Sequence, residues 1–453
     1  MSIEKGIGDM TNIKKKKCIS IVVISFIIFI IVIFSFNNIT KYNSNKVDTN
    51  EKEITKSVSN TGDVHKDLIT KLKYTDKIEV YHDYNASDIS NIKPIEIKDK
   101  NIINDYLDLL SRDVKKSTEE LSGGSVNNQK LVFYTDNEAV EVNYTYDDLY
   151  NFGFISYGGK DIYIDYDFFR LISNTEKYSP QVSNISDDIE NLFNNYNWTP
   201  SFLISKNKVK ISDDLMHAPE KGIDEVYWAY NLQLSKSINL DFSNLLGKEV
   251  DAEVYYLLES LPNFTYPIVD TRAVVLKYND EIVGAYIDSG IVNRAICSLD
   301  RKSFDEITGY VLEDYLIENH IDENSKLNKE IAKLNTQEII ELYYKYQSDK
   351  DVSQYLSTLD MGAILSLLET DTVNIQSELF NSIDKNDDIF KIANKVEVLE
   401  VKDNNSLDGE KEVNIKLNIL NSNDITIDKG IYDMIVLMRK NENGVYKVNS
   451  VGF

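Results

Sequence analysis

Nineteen consecutive residues, Cys18 to Phe36 (CISIVVISFIIFIIVIFSF), carry no charge, Pro or Gly. Such a run rises as a helix by about 1.5 Å per residue, so it measures about 28 Å, close to the hydrocarbon thickness of a bilayer. Lys14, Lys15, Lys16 and Lys17 abut it on the N-terminal side, and clustered positive charge stays in the cytoplasm. A cleaved signal peptide has a shorter apolar core and small residues at the cut, yet the first Ala after the run is Ala86. A lipoprotein carries its Cys after the apolar run, and Cys18 precedes it. The expectation is a single-pass cell-membrane protein with residues 1–17 as a cytoplasmic tail, 18–36 as a transmembrane helix and the remainder extracellular. A tail of 17 residues has no room for a folded inner domain.

The chain carries a formal net charge of −25, and because the residues up to Phe36 are net positive, the whole acidic excess lies beyond them. A surface of this sign repels nucleic acid and anionic lipid, so the partners expected are the membrane through one helix and a protein or cell-wall component. Hydrophobic residues make up 42% of the chain, enough for packed interiors. Cys18 and Cys297 are the two cysteines. They fall on either side of the expected membrane boundary, so Cys297 is read as a buried small apolar side chain rather than half of a bridge.

Residues 37–66 are polar and without periodicity, which predicts a stalk. A first α+β domain is expected over 67–178. It has a strand at Lys77 to Tyr81, a helix through Ile103, Leu107 and Leu110, a hairpin of Leu131 to Tyr134 with Val140 to Tyr146, and a second hairpin turning at Gly158 and Gly159. A second α+β domain, 182–325, opens with a helix started by Asp187 and Glu190. An amphipathic helix through Val226, Tyr230, Leu234 and Ile238 follows, then strands at Val250 to Leu258, Ala273 to Tyr278 and Ile282 to Ile287. A last helix capped by Ser303 with Glu306 is expected to bury Ile307, Val311 and Tyr315. A third domain, 326–453, places helices at Gln337 to Gln347 and Val352 to Leu368 before four β runs. The fold class is therefore α+β: an N-terminal transmembrane helix, small α+β domains, and a C-terminal cone of helices on a curved antiparallel sheet.

The run Glu338 to Tyr346, the strand GIYDMIVLMRK and the ending VYKVNSVGF resemble the opening helix and closing strands of the nuclear-transport-factor-two-like (cystatin-like, SnoaL-like) cone. WTPSFL at Trp198, EVYWAYN at Glu225, RAVVLKY at Arg272, IVGAYID at Ile282 and CSL at Cys297 resemble an uncharacterised family of membrane-anchored or lipoprotein-like exported proteins of clostridia and their relatives. That resemblance covers roughly residues 195–453. It implies location and architecture, and it supplies no activity and no functional residue.

The residues offer little catalytic chemistry. His65, His82, His217 and His320 are scattered without the spacing that sets zinc ligands on one helix face, and His82 beside Asp83 and His217 near Asp213 and Asp214 read as surface or structural. Asp384, Asn386 and Asp388 begin like a calcium loop, but Ile389 takes the glycine position and Lys395 the bidentate one. Asp165 and Asp167 read as a helix start, and Gly123 with Gly124 as a flexible turn rather than a phosphate cradle. No metal or cofactor is expected, and the catalytic residues are unknown. The leading expectation is a non-enzymatic binding or interaction module at the cell surface. The alternative is an enzyme using Tyr343, Tyr346, Tyr432 and Asp433 for acid/base work in the C-terminal cone.

Overall fold

The computed structural model describes residues 64–81, 93–114, 126–136, 138–147, 152–178, 180, 182–183, 185–262, 270–288, 296–369, 395–407, 409–422, 428–441 and 443–452. The chain divides into two compact units, Met1–Thr70 with Tyr157–Ile162, and Lys71–Ser156 with Tyr163–Phe453. In the smaller one, the Tyr157 hydroxyl lies 3.4 Å from Asp67 as donor to its carboxylate.

The architecture is α+β. A first sheet has the strand order β2-β1-β3-β4-β5-β6, built from β1 (Thr75–Tyr81), β2 (Ile95–Ile97), β3 (Val126–Thr135), β4 (Ala139–Asp147), β5 (Phe152–Tyr157) and β6 (Lys160–Ile164). Between β2 and β3 runs α1 (Lys100–Ser111), whose Asp99 cap accepts from the Asn101 and Ile102 amides. After β6 comes α2 (Tyr166–Tyr178). The β5–β6 turn is made by Gly158 and Gly159, at φ 58° and 73°, where a Cβ would be strained.

The second sheet, in the order β10-β9-β8-β7, holds β7 (Pro200–Lys210), β8 (Glu249–Leu257), β9 (Arg272–Tyr278) and β10 (Glu281–Asp288). Both faces are covered. Val254, Val274, Leu276 and Tyr286 join one core cluster, while Tyr255, Leu257, Ala273, Val275, Ala285 and Ile287 join another with Trp198 and Cys297. This two-sided burial explains the unbroken apolar run of RAVVLKY. Ahead of this sheet lies α3 (Asp187–Asn194), whose cap position is Ser186; no side chain closes that cap, so the pairing of Asp187 with Glu190 is not a capping box. Between β7 and β8 lies α4 (Asp224–Lys236), packed against β10 on one side and against α5 (Phe304–Thr308) and α6 (Leu312–Asn319) on the other. The expected amphipathic stripe is therefore buried nearly all round, Trp228 and Tyr227 included, and the helix ends before Ile238. The Ser303–Glu306 capping box forms, but Gly309 in the left-handed conformation ends α5 after one turn, and Val311 stands exposed.

The third sheet is an antiparallel meander, β11-β12-β13-β14, of β11 (Lys395–Leu407), β12 (Glu410–Asn421), β13 (Gly430–Lys440) and β14 (Tyr446–Gly452). Helices α7 (Lys326–Ile331), α8 (Thr336–Asp349), α9 (Val352–Thr358) and α10 (Met361–Glu369) precede it. One core cluster runs from Val209 and Tyr286 of the second sheet through Leu316, Ile340 and Leu356 to Val413, Val436 and Val448 of the third. The continuous helix expected over Val352 to Leu368 is broken at Leu359 and Asp360. Leu359 is extended and bridges Val448, while the Asp360 carboxylate accepts from the Ala363 amide at 2.8 Å and starts α10.

The expected transmembrane helix requires correction. Among the described residues no helix is long and apolar enough to cross a membrane. With 14 residues, α8 rises about 21 Å, short of the roughly 30 Å of a bilayer core, and its exposed face is polar. The run Cys18 to Phe36 lies outside the described residues, as do the tail, residues 37–63 of the expected stalk, His82, Gly123, Gly124 and the Asp384 to Asp388 segment; residues 64–66, expected as the end of the stalk, are helical.

At the start of α8, Asn335 Oδ1 accepts from the Glu338 amide at 3.0 Å while the Glu338 carboxylate accepts from the Asn335 amide at 2.8 Å. Asn335→Ala is expected to destabilise the protein by about 1 kcal/mol, measured as a fall in the urea midpoint at unchanged slope.

Candidate functional site

A cavity of about 250 Å³, partly open to solvent, lies where the second sheet's connections meet the third sheet. Its floor is the segment before α4. His217 is bound edge to edge to the end of α6: its amide donates to the His320 carbonyl at 2.7 Å, and the Asp322 amide donates to the His217 carbonyl at 2.9 Å. Ile317 of α6 and Ile321 after it form one apolar side, and Leu359, Met361 and Ile364 at the α9–α10 break form the other. Lys447 of β14, Arg439 at the end of β13, Asn328 of α7, Glu313 and Glu323 supply the polar rim.

His217 is the anomaly. It is 2% exposed, and neither ring nitrogen has a hydrogen-bond partner. A buried imidazole without partners forgoes a hydrogen bond at each nitrogen, a cost of about 1–3 kcal/mol per group. Burial, reinforced by the positive charges of Lys447 and Lys221, pushes its pKa down to about 4; an approach by the Gly222 backbone, short of hydrogen-bond geometry, offsets this only in part. At neutral pH it is an uncharged ring, and the residue lines the cavity.

Lys447 is half-buried, and its ammonium donates to Asn328 Oδ1 at 3.0 Å, a neutral acceptor. Loss of water pushes its pKa down to about 8, against the opposing pull of Glu323 and Asp360. Arg439 is committed elsewhere, to Glu313 at 3.2 Å and Glu410 at 3.0 Å. The Asp360 carboxylate is drawn upward in pKa by burial, despite accepting from the Ala363 amide and from Asn449 Nδ2 at 3.0 Å. Gly362 permits this close packing, since a Cβ there would stand 2.8 Å from Asn449 Nδ2.

A second polar cluster holds α2 to the second sheet. Arg170, 1% exposed, donates to the Leu257 and Leu258 carbonyls. Asp270 accepts from Lys177 at 2.8 Å and from the Tyr178 hydroxyl at 2.6 Å, and Arg272 donates to that hydroxyl at 3.0 Å and to Asp288 at 2.9 Å. These bonds tie α2 to β8 and β9 as a clamp.

The residues singled out in the sequence are placed apart. Asp433 stands on the open face of β13, 84% exposed, with Lys416 at 3.6 Å. The Tyr432 hydroxyl donates to the Asp428 carbonyl, Tyr343 packs against Tyr344 and Tyr355, and Tyr346 lies half-buried at the core edge. None of the four lines the cavity at His217. Asp165 starts α2 by accepting from the Phe168 amide, and both it and Asp167 bind Arg112. His320 Nδ1 meets the Leu215 carbonyl at 3.0 Å. Cys297 is a free thiol inside the core, its pKa pushed up to about 12 by burial, which makes it inert. Among the described residues, no group of three His, Cys, Asp or Glu side chains is placed to hold a metal.

The sequence hid the cavity for two reasons. The alternation around Lys447, Val448 and Asn449 reads as a solvent-facing polar row, but Asp360 closes over it, taking Asn449 side-chain bonds and donating its amide to the Val448 carbonyl. His217 sits in an irregular segment whose neighbours, Asp213 and Asp214, suggest a surface loop. Its one signal is the flanking apolar pair Met216 and Ala218.

Fold and cleft together define an α+β protein with a pocket of small-molecule size. Residues 192–287 match a family described as a domain of unknown function (DUF4830). The match takes in the end of α3, all of α4, strands β7 to β9 and β10 up to Ile287, hence His217, and stops short of the C-terminal side of the cleft. No curated protein matches the chain.

Proposed function

We propose that the chain is a non-enzymatic binding module and that the cleft at His217 holds its ligand. The observation that carries this is the cavity itself, lined on one side by the buried, uncharged His217, with an apolar side and a polar rim that includes Lys447 and Glu323. The lining favours binding over turnover: it includes no Ser, Thr or Cys nucleophile, and Lys447 and Asp360, the groups whose protonation burial shifts, are each held by an amide side chain, Asn328 and Asn449. The acidic surface argues against a nucleic acid partner. The order of the C-terminal region, helices and then a four-stranded meander, supports its likeness to the nuclear-transport-factor-two-like family.

Thermal denaturation of the intact chain against a panel of amino acids, monosaccharides, monocarboxylates, amines and nucleosides tests the reading. A ligand present at a hundred times its dissociation constant stabilises by about 2.7 kcal/mol, so at least one class is expected to raise Tm clearly. The shift is expected to vanish in Ile364→Trp, which fills the cavity. No shift with any class, or one that survives in the filled protein, refutes the reading.

A further inference from the structure

Resting on that reading, we propose that the cleft recognises a small zwitterion with an apolar side chain, the chemistry of a free aliphatic α-amino acid. Lys447 takes its carboxylate, Glu323 its ammonium, and Ile317, Ile321 and Leu359 its side chain. The charges on the wall are what select the class. Lys447 has a neutral amide as its hydrogen-bond partner, and no carboxylate among the described residues comes within ion-pair distance of it. Glu323, on the same cavity, is exposed and has no hydrogen-bond or ion-pair partner among the described residues. The two act on each other electrostatically, yet the pair does not close. A cation and an anion held apart across one cavity are bridged by a molecule that carries the same two charges in the opposite order.

Other classes meet a specific obstacle. A fatty acid leaves Glu323 unanswered, and an amine leaves Lys447 so. A phosphate dianion faces the three carboxylates Glu313, Glu323 and Asp360, against Lys447 and the exposed Lys440, with Arg439 already paired to Glu313. The cavity, at about 250 Å³, falls below the roughly 300–1,000 Å³ that drug-sized ligands occupy, so the side chain is short. His217, buried and uncharged, completes the lining.

Calorimetric titration of the intact chain with L-leucine, 4-methylpentanoate, 3-methylbutylamine and glycine tests this. Leucine is expected to bind at least tenfold more tightly than the acid lacking its amine, the amine lacking its carboxylate, and glycine. Glu323→Gln, at an exposed position, and Lys447→Met are each expected to weaken leucine at least tenfold, and Glu323→Gln to leave 4-methylpentanoate unchanged. Equal affinity for leucine and either half-molecule overturns the proposal, as does leucine binding that survives both substitutions. If leucine fails while another class shifts Tm through the same cavity, this proposal falls and the binding reading stands. If no class does, both fall.

Discussion

Asp288→Ala is expected to lower the unfolding free energy by about 3–5 kcal/mol, because it removes the buried carboxylate that pairs with the Arg272 guanidinium. Asp288 and Arg272 face each other across β9 and β10, 2.9 Å apart, at 0% and 6% side-chain exposure. The Tyr178 hydroxyl, shared with Asp270, remains as a hydrogen-bond partner of Arg272. The loss appears as a lower urea midpoint at unchanged slope. Should Asp288→Ala fail to fold, Asp288→Asn keeps the shape and is expected to show a smaller fall in the same direction. Replacing both partners by apolar residues of similar volume is expected to recover most of the loss, since two desolvation costs disappear together. A single substitution costing under about 1 kcal/mol contradicts the picture of a sealed pair.

His217 sets the second large effect, which appears as a pH dependence. Its folded-state pKa is pushed down to about 4 from an ordinary 6.5. As pH falls through 6.5 the unfolded chain takes up the proton first. The contribution to stability is therefore complete above 6.5 and is lost towards pH 4, amounting to on the order of 3 kcal/mol. Glu225 and Asp105, both pushed up to about 7 by burial, act with the opposite sign, and their stability is lost as pH rises. The measurement is therefore a difference: the wild-type stability minus that of His217→Leu, followed from pH 7 to pH 4, which cancels the carboxyl groups. The leucine variant is expected to be the more stable at pH 7, relieved of an unpaired ring, and its lead is expected to widen on acidification. A constant difference across that range shows that the ring is hydrated or partnered in solution.

Local rules made much of the fold legible. The hairpin turns at Gly158–Gly159 and at Asn279–Asp280 sit where positive φ is required, and β-rich composition between turn residues located β3, β4 and the C-terminal meander. The Ser303 capping box was equally readable. Local rules failed where packing overrode them. The stripe on α4 reads as one buried face, yet the helix is enclosed on both sides by β10 and by α5 and α6. The apolar stretch from Val352 to Leu368 reads as one helix, yet Leu359 gains a bridge to Val448 and Asp360 gains Asn449, contacts with residues that no local pattern could supply.

From the sequence alone came the α+β character, the turns and most strands, because φ/ψ sterics and side-chain periodicity act between near neighbours in the chain. The cleft was decided by tertiary structure. It joins His217, Glu323, the break at Leu359 and Asp360, and Lys447, four stretches with no common sequence pattern. Whether a polar side chain among them faces water or is desolvated depends on which distant segment packs over it, and that also determines which charges remain unpaired.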